Sequence, residues 1–188
     1  MEKLKRIVVI GPESTGKSTL CEQLAQHFDT SWCPEFAREY LHTHGKEYKY
    51  RDLINIAKGQ IALEEEYAFS LQNKLSFPGE TASSNLLFID TNLYVMKVWS
   101  EFVFNDCDPW ILNNIAERKY DLYLLCNTDL PWINDELREY PVKAVREKLY
   151  NIYEDLLINQ QVPWIEIRGN YEERLAIAIQ AVNNYCLH

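Results

Sequence analysis

The run Ile7-Val8-Val9-Ile10-Gly11-Pro12-Glu13-Ser14-Thr15-Gly16-Lys17-Ser18 leaves this chain few choices of fold. Four β-branched residues in a row suit a strand buried on both faces, as in a parallel sheet. The next eight residues fit G-x-x-x-x-G-K-[ST]. Leu20, Leu24 and Phe28 then recur every four residues, with Cys21 and Ala25 beside them, which predicts an amphipathic helix. Strand, glycine loop and helix open an α/β domain. At average composition the four fixed positions of the loop coincide in a chain of this length only about once in a hundred times, and the flanking elements make chance rarer still.

The chemistry of the loop follows from its residues. Gly11 and Gly16 let the backbone turn so that successive N–H groups point at a phosphate. The helix behind them adds its positive end. Lys17 is placed to bridge the β- and γ-phosphates of ATP, and the Ser18 hydroxyl to ligate Mg²⁺. Glu13, Ser14, Thr15 and Thr19 complete the nucleotide-binding segment.

Further along, short apolar runs alternate with helical patterns. Strands are predicted at Ser31–Pro34, Leu86–Ile89, Asp121–Cys126 and Pro163–Ile167. Helices are predicted over Leu53–Leu71, with Asp52 as N-cap and Glu64-Glu65-Glu66 mostly solvated, then over Leu93–Phe104, Pro109–Arg118 and Val142–Leu157. A last helix opens at Asn170 with Glu173 three residues on, a capping-box pattern, and runs through Val182. Ser76–Asn85 has turn chemistry throughout. Thr128–Pro141 is polar and proline-bracketed, and a lid is expected at about residues 128–146. The whole predicts one three-layer α/β domain around a five-stranded parallel sheet.

Composition narrows the partners. Of 188 residues, 47 % are hydrophobic and 25 % charged, a globular balance. The net charge of −9 disfavours a nucleic-acid partner, which needs a basic face. No apolar run approaches the ~20 residues of a membrane span. Cys21, Cys33, Cys107, Cys126 and Cys186 show no paired spacing and read as reduced thiols, so a cytoplasmic protein is expected. Homo-oligomerisation is left open.

In open α/β sheets ligands bind beyond the carboxyl ends of the strands. Glu35, Asp90 and Asp129 fall there. Asp90 after Leu86–Ile89 has the form of a magnesium-holding Walker B acid, and Glu35 is a candidate general base for an acceptor hydroxyl; the residues alone leave the base open between the two. Arg38, Arg138 and Arg146 could neutralise transition-state charge, or form surface ion pairs with Glu39, Glu139 and Glu147. Tyr40, Tyr94, Trp99, Trp110 and Trp132 are candidates for stacking a planar substrate, against a core role for each; Trp132, in a polar loop, is the strongest. His42 and His44 are read as loop residues.

Several segments together resemble a known family. GPESTGKSTL at Gly11–Leu20, PEFAREY at Pro34–Tyr40, FIDT at Phe88–Thr91, YDLYLLCNTDLPW at Tyr120–Trp132, DELR at Asp135–Arg138 and RGNYEER at Arg168–Arg174 are similar to ribosylnicotinamide kinase domains of the NadR type, a P-loop kinase group. That resemblance implies phosphorylation of the 5′-hydroxyl of nicotinamide riboside by ATP with Mg²⁺, giving nicotinamide mononucleotide for NAD salvage. By position it implies Lys17 and Ser18 on the triphosphate and metal, Glu35 and Asp90 facing the acceptor, and Arg138 arriving from the lid. Arg38, Tyr94, Trp99, Trp132 and Asp135 would border the acceptor, and Arg168 to Tyr171 the adenine. Glu136 stands where NadR-like lids often have glycine. Larger NadR proteins carry nucleotidyltransferase and sometimes helix-turn-helix domains, for which 188 residues leave no room. The expected substrate is a small nucleoside; another small metabolite, or an ATP-dependent regulatory module, are the alternatives.

Overall fold

Parallel pairing demands strands whose two faces are both apolar, and β1 (Lys5–Ile10) meets that demand: Ile7 to Ile10 are fully buried. The structure, a computed structural model, describes residues 3–76 and 84–187. After β1 the elements run α1 (Lys17–His27), β2 (Ser31–Cys33), α2 (Phe36–His44), α3 (Tyr50–Ser76) and β3 (Leu86–Asp90). They continue with α4 (Leu93–Phe104), α5 (Pro109–Glu117), β4 (Leu122–Cys126), α6 (Lys143–Ile158), β5 (Trp164–Ile167) and α7 (Tyr171–Cys186). The strands form one sheet in the order β2-β3-β1-β4-β5, every pair parallel. The three-layer architecture is therefore the one expected. Of the turn segment predicted at Ser76–Asn85, residues 77–83 lie outside the described residues, and Ser76 closes α3.

Alternation along the strands sorts the core into two layers. Ile7, Val9, Leu86, Phe88, Leu122 and Leu124 face α1 and α7 through Leu20, Leu24, Ala178 and Val182. Val8, Ile10, Leu87, Ile89 and Leu125 face α3, α4 and α6 through Leu71, Val98, Leu149 and Leu157. Adjacent strands β1 and β3 are thus followed by helices on opposite faces, α1 and α4. That is the switch point at which open sheets leave a crevice. The pairing register sets Val9 opposite Asp90 at this place.

Three readings of the sequence need correcting. The segment after β2 is helical, so His42 and His44 lie in the last turn of α2, where His44 stacks on Tyr40 with ring centroids 4.1 Å apart. α3 begins before Asp52, whose carboxylate reaches back to accept from the Lys49 N–H at 2.7 Å instead of capping. Glu64 is fully buried: it lies on the same stripe of α3 as Ala57, Ala68 and Leu71, and Arg118 at 2.9 Å and the Tyr120 hydroxyl at 3.0 Å satisfy one of its oxygens. Burial still pushes the Glu64 carboxyl upward, since desolvation outweighs its partners. Glu65, beside it, takes two hydrogen bonds from Arg6 and is held down at about 2.

A small residue fixes how α2 sits on α3. A Cβ added at Gly59 would fall 2.0 Å from the Phe36 ring. Alanine normally stabilises a helix interior by about 1 kcal/mol over glycine. Here Gly59→Ala is expected to destabilise by about 1–3 kcal/mol, as overpacking does, and to displace Phe36 and with it Glu35. Urea unfolding with an unchanged m-value would check this; a stabilised variant would show that Phe36 moves freely.

Candidate active site

The loop between β1 and α1 is held open by its backbone geometry. Gly11 has φ +141°, and a Cβ there would meet the Cys126 carbonyl oxygen at 2.7 Å, so only glycine brings β1 this close to β4. Gly16 is the N-cap of α1 in left-handed geometry and makes no side-chain cap, which leaves the first N–H groups of α1 available to an anion. Ser14 also has positive φ, at 57°. The Lys17 ammonium rests on the Pro12 carbonyl at 3.0 Å and the Thr15 hydroxyl donates to the same oxygen at 2.8 Å.

Across the crevice, the Ser18 hydroxyl donates to Asp90 Oδ2 at 2.5 Å. Asp90 is 1 % exposed, and among the described residues its other oxygen has no hydrogen-bond partner. Burial first, then the negative charge of Glu35, raises its pKa; Lys17 and Ser18 oppose the shift. Thr91, next in the chain, is β-branched yet has φ 68°, a strained conformation, and Asn92 then caps α4 through the Tyr94 N–H at 3.0 Å. A hydroxyl, a carboxylate with an orphaned oxygen and a phosphate cradle suit Mg²⁺, which takes few protein ligands and completes its shell with water and phosphate. Glu35 is the N-cap of α2 but its side chain makes no capping bond, so the carboxylate is left to the crevice.

One cavity of about 250 Å³ joins the P-loop, Ser18 included, to Glu35; Asp90 is not on its wall and meets it through Ser18. The whole P-loop, Gly11 to Thr19, forms one wall, with Tyr171 beside it. Glu35, Arg38 and Leu41 form another. Trp99, Phe102, Tyr140 and Tyr153 supply aromatic surface, and Arg138 reaches in from the segment after β4. Phe102, Tyr140 and Tyr153 were not singled out by the sequence reading. Position 102 lies one helical turn from Trp99, and that spacing was the available signal.

Other expected residues lie elsewhere. Tyr94 packs on Tyr123 at 5.5 Å between centroids and is not on the cavity wall, because α4 turns that face toward the sheet. Trp132 is also off the wall: the Arg146 and Arg138 guanidinium carbons lie 5.3 and 5.9 Å from its ring, so its π face is occupied. Asp135 pairs with Arg38 at 3.1 Å and caps the Leu137 N–H. Arg168 is exposed and among the described residues reaches Glu166, at 3.8 Å. Tyr40 and Trp110 pack with the helical cluster of α2 to α5. Arg146 forms no surface pair with Glu147; it is 4 % exposed, with Nε and one Nη lacking a hydrogen-bond partner among the described residues. Glu136 bonds Lys46 at 2.8 Å and lies 3.5 Å from His42, tying the segment to the end of α2 by exposed pairs of small worth.

Asp129 is structural as well, and its partner is a residue the sequence reading passed over. Arg174 of α7 is 2 % exposed and ion-pairs with Asp129. It also donates to three backbone carbonyls, Thr15 at 2.9 Å, Asn127 at 2.9 Å and Gly169 at 2.8 Å. It therefore buttresses the P-loop from behind. Arg174→Met is expected to cost about 2–4 kcal/mol, because buried carbonyls lose their donor, and to weaken nucleotide binding together with stability. Chemical denaturation and nucleotide titration on the same variant would check it.

Comparison with known proteins agrees with this geometry. A sequence profile described as an AAA domain (AAA_28) matches residues 6–174. The trifunctional NAD biosynthesis/regulator protein NadR of Escherichia coli (strain K12) is 26 % identical over 184 residues, 95 % of this chain and 42 % of that protein. The NadR of Salmonella typhimurium (strain LT2) gives the same identity and coverage. The chain thus spans less than half the length of these relatives. Among solved structures, a NadR protein in complex with NR superposes with a TM-score of 0.70 at 23 % identity, over 98 % of this chain and 51 % of the other. A deoxyadenosine kinase from M. mycoides gives 0.55 at 14 % over 95 % and 99 %. These structural likenesses show a shared fold. With the profile match running through most of its length, the chain belongs to the AAA_28 family of AAA domains.

Proposed function

We propose that this chain transfers the γ-phosphoryl group of ATP to the 5′-hydroxyl of nicotinamide riboside, giving nicotinamide mononucleotide. The observation that carries the proposal is the single cavity in which a complete P-loop faces an uncommitted carboxylate, Glu35, and a group of aromatic side chains. A phosphate cradle alone would suit any ATPase. An enclosed second half with a carboxylate suits an acceptor hydroxyl. Nicotinamide riboside carries a cationic, planar ring, and Glu13, Glu35 and Glu139 with Trp99, Phe102, Tyr140 and Tyr153 offer it negative charge and π faces. Relatives that include NadR proteins, one of them solved with NR and another with NAD and AMP-PNP, favour this acceptor.

In the proposed reaction the amide groups at the start of α1 hold the triphosphate, and Lys17 leaves the Pro12 carbonyl to neutralise its β- and γ-oxygens. Ser18 and Asp90 would hold Mg²⁺, whose chemistry there would be to screen the charge of the phosphates. Glu35 accepts the proton of the acceptor hydroxyl as its oxygen bonds to the γ-phosphorus and the bond to ADP breaks in line. Arg138, from a lid at about residues 128–146, meets the equatorial oxygens. The described residues would act as one kinase domain. Asp90 serves the metal and Glu35 the proton because Asp90 is enclosed and engaged with Ser18, whereas Glu35 opens on the cavity.

Purified protein assayed for ADP release over a panel of nucleosides tests this reading. Turnover dependent on nicotinamide riboside is expected. Turnover of another nucleoside without it would replace the acceptor, and ATP hydrolysis indifferent to every acceptor would reject the kinase.

A further inference from the structure

A P-loop needs its backbone amides, lysine and hydroxyl to hold phosphate; the side chains at its variable positions are free for other work. Here two of them hold the segment that follows β4. Glu13 Oε2 accepts from the backbone N–H of Glu139 at 2.9 Å and of Tyr140 at 3.0 Å. The Ser14 hydroxyl oxygen accepts from the Ile133 N–H at 2.9 Å and lies 3.4 Å from an Arg138 nitrogen. The bonds thus bracket Arg138 from both sides along the chain, and they join residues more than a hundred positions apart. The Arg138 guanidinium meanwhile donates to the Ile133 carbonyl at 2.5 Å, inside the same segment.

The arrangement asks for an explanation beyond packing. Glu13 is partly buried, and desolvation raises its carboxyl pKa despite the two amides and the nearby Lys17 ammonium that oppose it. A neutral residue would fill this place without that cost. A carboxylate, however, makes charge-assisted bonds to both amides at once. It does so from the same loop whose Lys17 now rests on the Pro12 carbonyl, the place a triphosphate would enter.

We propose that Glu13 is a positioning residue that couples the two halves of the cavity: it fastens the 133–140 segment to the phosphate loop, so that filling the loop sets Arg138 and Tyr140 over the acceptor. The assignment rests on the kinase reading for its consequence, but the coupling itself does not need it. Three groups form the unit. Glu13 holds the amides after Arg138, Ser14 holds the amide before it, and Tyr140 carries the movement to the aromatic wall, where it meets Phe102 edge-on at 5.4 Å. Because the coupling runs through a side chain of the P-loop, motif matching alone passes over it: position 13 is one of the x positions.

Amide hydrogen exchange of residues 133–140, with and without AMP-PNP, reads the coupling directly, and steady-state kinetics reads its use. In the unaltered protein the Glu139 and Tyr140 amides should be protected, and AMP-PNP should protect the whole segment, Ile133 included, about tenfold further. Glu13→Ala should release Glu139 and Tyr140 and abolish the nucleotide-dependent gain at Ile133, which Glu13 does not touch. Glu13→Gln, which keeps an acceptor oxygen, should retain part of that gain. Acceptor KM should rise about tenfold in Glu13→Ala, with a smaller change in the KM for ATP. Melting curves of both variants establish that they fold; Ser14→Ala, which should lose protection at Ile133, supplies a second route if Glu13→Ala does not. An AMP-PNP effect at Ile133 that survives in Glu13→Ala, or is absent from the unaltered protein, overturns the coupling. Altered exchange without turnover of any nucleoside would reject the kinase reading and keep the coupling.

Discussion

Lys17→Met is expected to lower kcat for phosphoryl transfer about a thousandfold, a loss typical of removing one preorganised charge from a reaction centre. Apart from its position in the fold, Lys17 makes one polar contact among the described residues, to the Pro12 carbonyl. Its removal should therefore leave the melting temperature within about 2 °C. Methionine keeps the aliphatic stem and much of its packing. Binding of ATP should weaken far less than kcat, because the amides of the loop and the start of α1 remain. Single-turnover assays at saturating ATP separate the two. A variant that turned over within tenfold of the parent would mean that Lys17 does not meet the transferring phosphate.

Asp90→Asn should act in opposite directions on activity and stability. The amide keeps an acceptor for the Ser18 hydroxyl but removes the charge that holds the metal, so kcat should fall about a hundred- to a thousandfold, with the loss partly recovered at high Mg²⁺. The charge it removes is buried, close to Glu35 and incompletely partnered. Its folded-state pKa lies above the ordinary aspartate value. Between those two values the folded protein holds the extra proton, so stability is greatest on the acid side and declines as pH rises through that window. The variant should lose this slope and melt about 2–4 °C higher at neutral pH without nucleotide. Thermal melts in a pH series check the sign: a lower melting temperature would mean that the Asp90 charge stabilises the fold. Stability given up for a site is a frequent compromise, and the strained Thr91 next to Asp90 fits it.

How much of this was readable beforehand varies along the chain for physical reasons. Strands β1 and β3 and helix α4 announce themselves because burial on both faces, or on a helical stripe, imposes a local pattern. The capping box of α7 is equally local, with Asn170 and Glu173 satisfying each other's neighbours. Helix α2 is short, presents only Ala37 and Leu41 as buried positions and starts without a side-chain cap, so its pattern is faint. Glu64, Arg146 and Arg174 defeat composition rules. Charged residues are seldom buried, and Glu64 and Arg174 become tolerable through Arg118 and through carbonyls as distant as Thr15, 159 positions away. Trp132 misled for a related reason: a tryptophan in a polar loop suggests a ligand face, while Arg138 from the same loop and Arg146 from α6 take it instead.

By itself the sequence determined a parallel α/β domain with a phosphate-binding loop. A run of β-branched residues, two glycines where the backbone must turn, and a lysine and serine at the head of a helix are all written within twenty consecutive positions. The resemblance to NadR-type kinases was legible in the same local way, segment by segment. Tertiary structure decided what the loop confronts. The β1–β3 register brings Asp90 to Ser18, the packing of α2 on Gly59 aims Glu35, and the helices α4 and α6 supply the aromatic wall. Those placements depend on pairings across many tens of residues, whose free energy comes from burial and from hydrogen bonds that no short window of sequence contains.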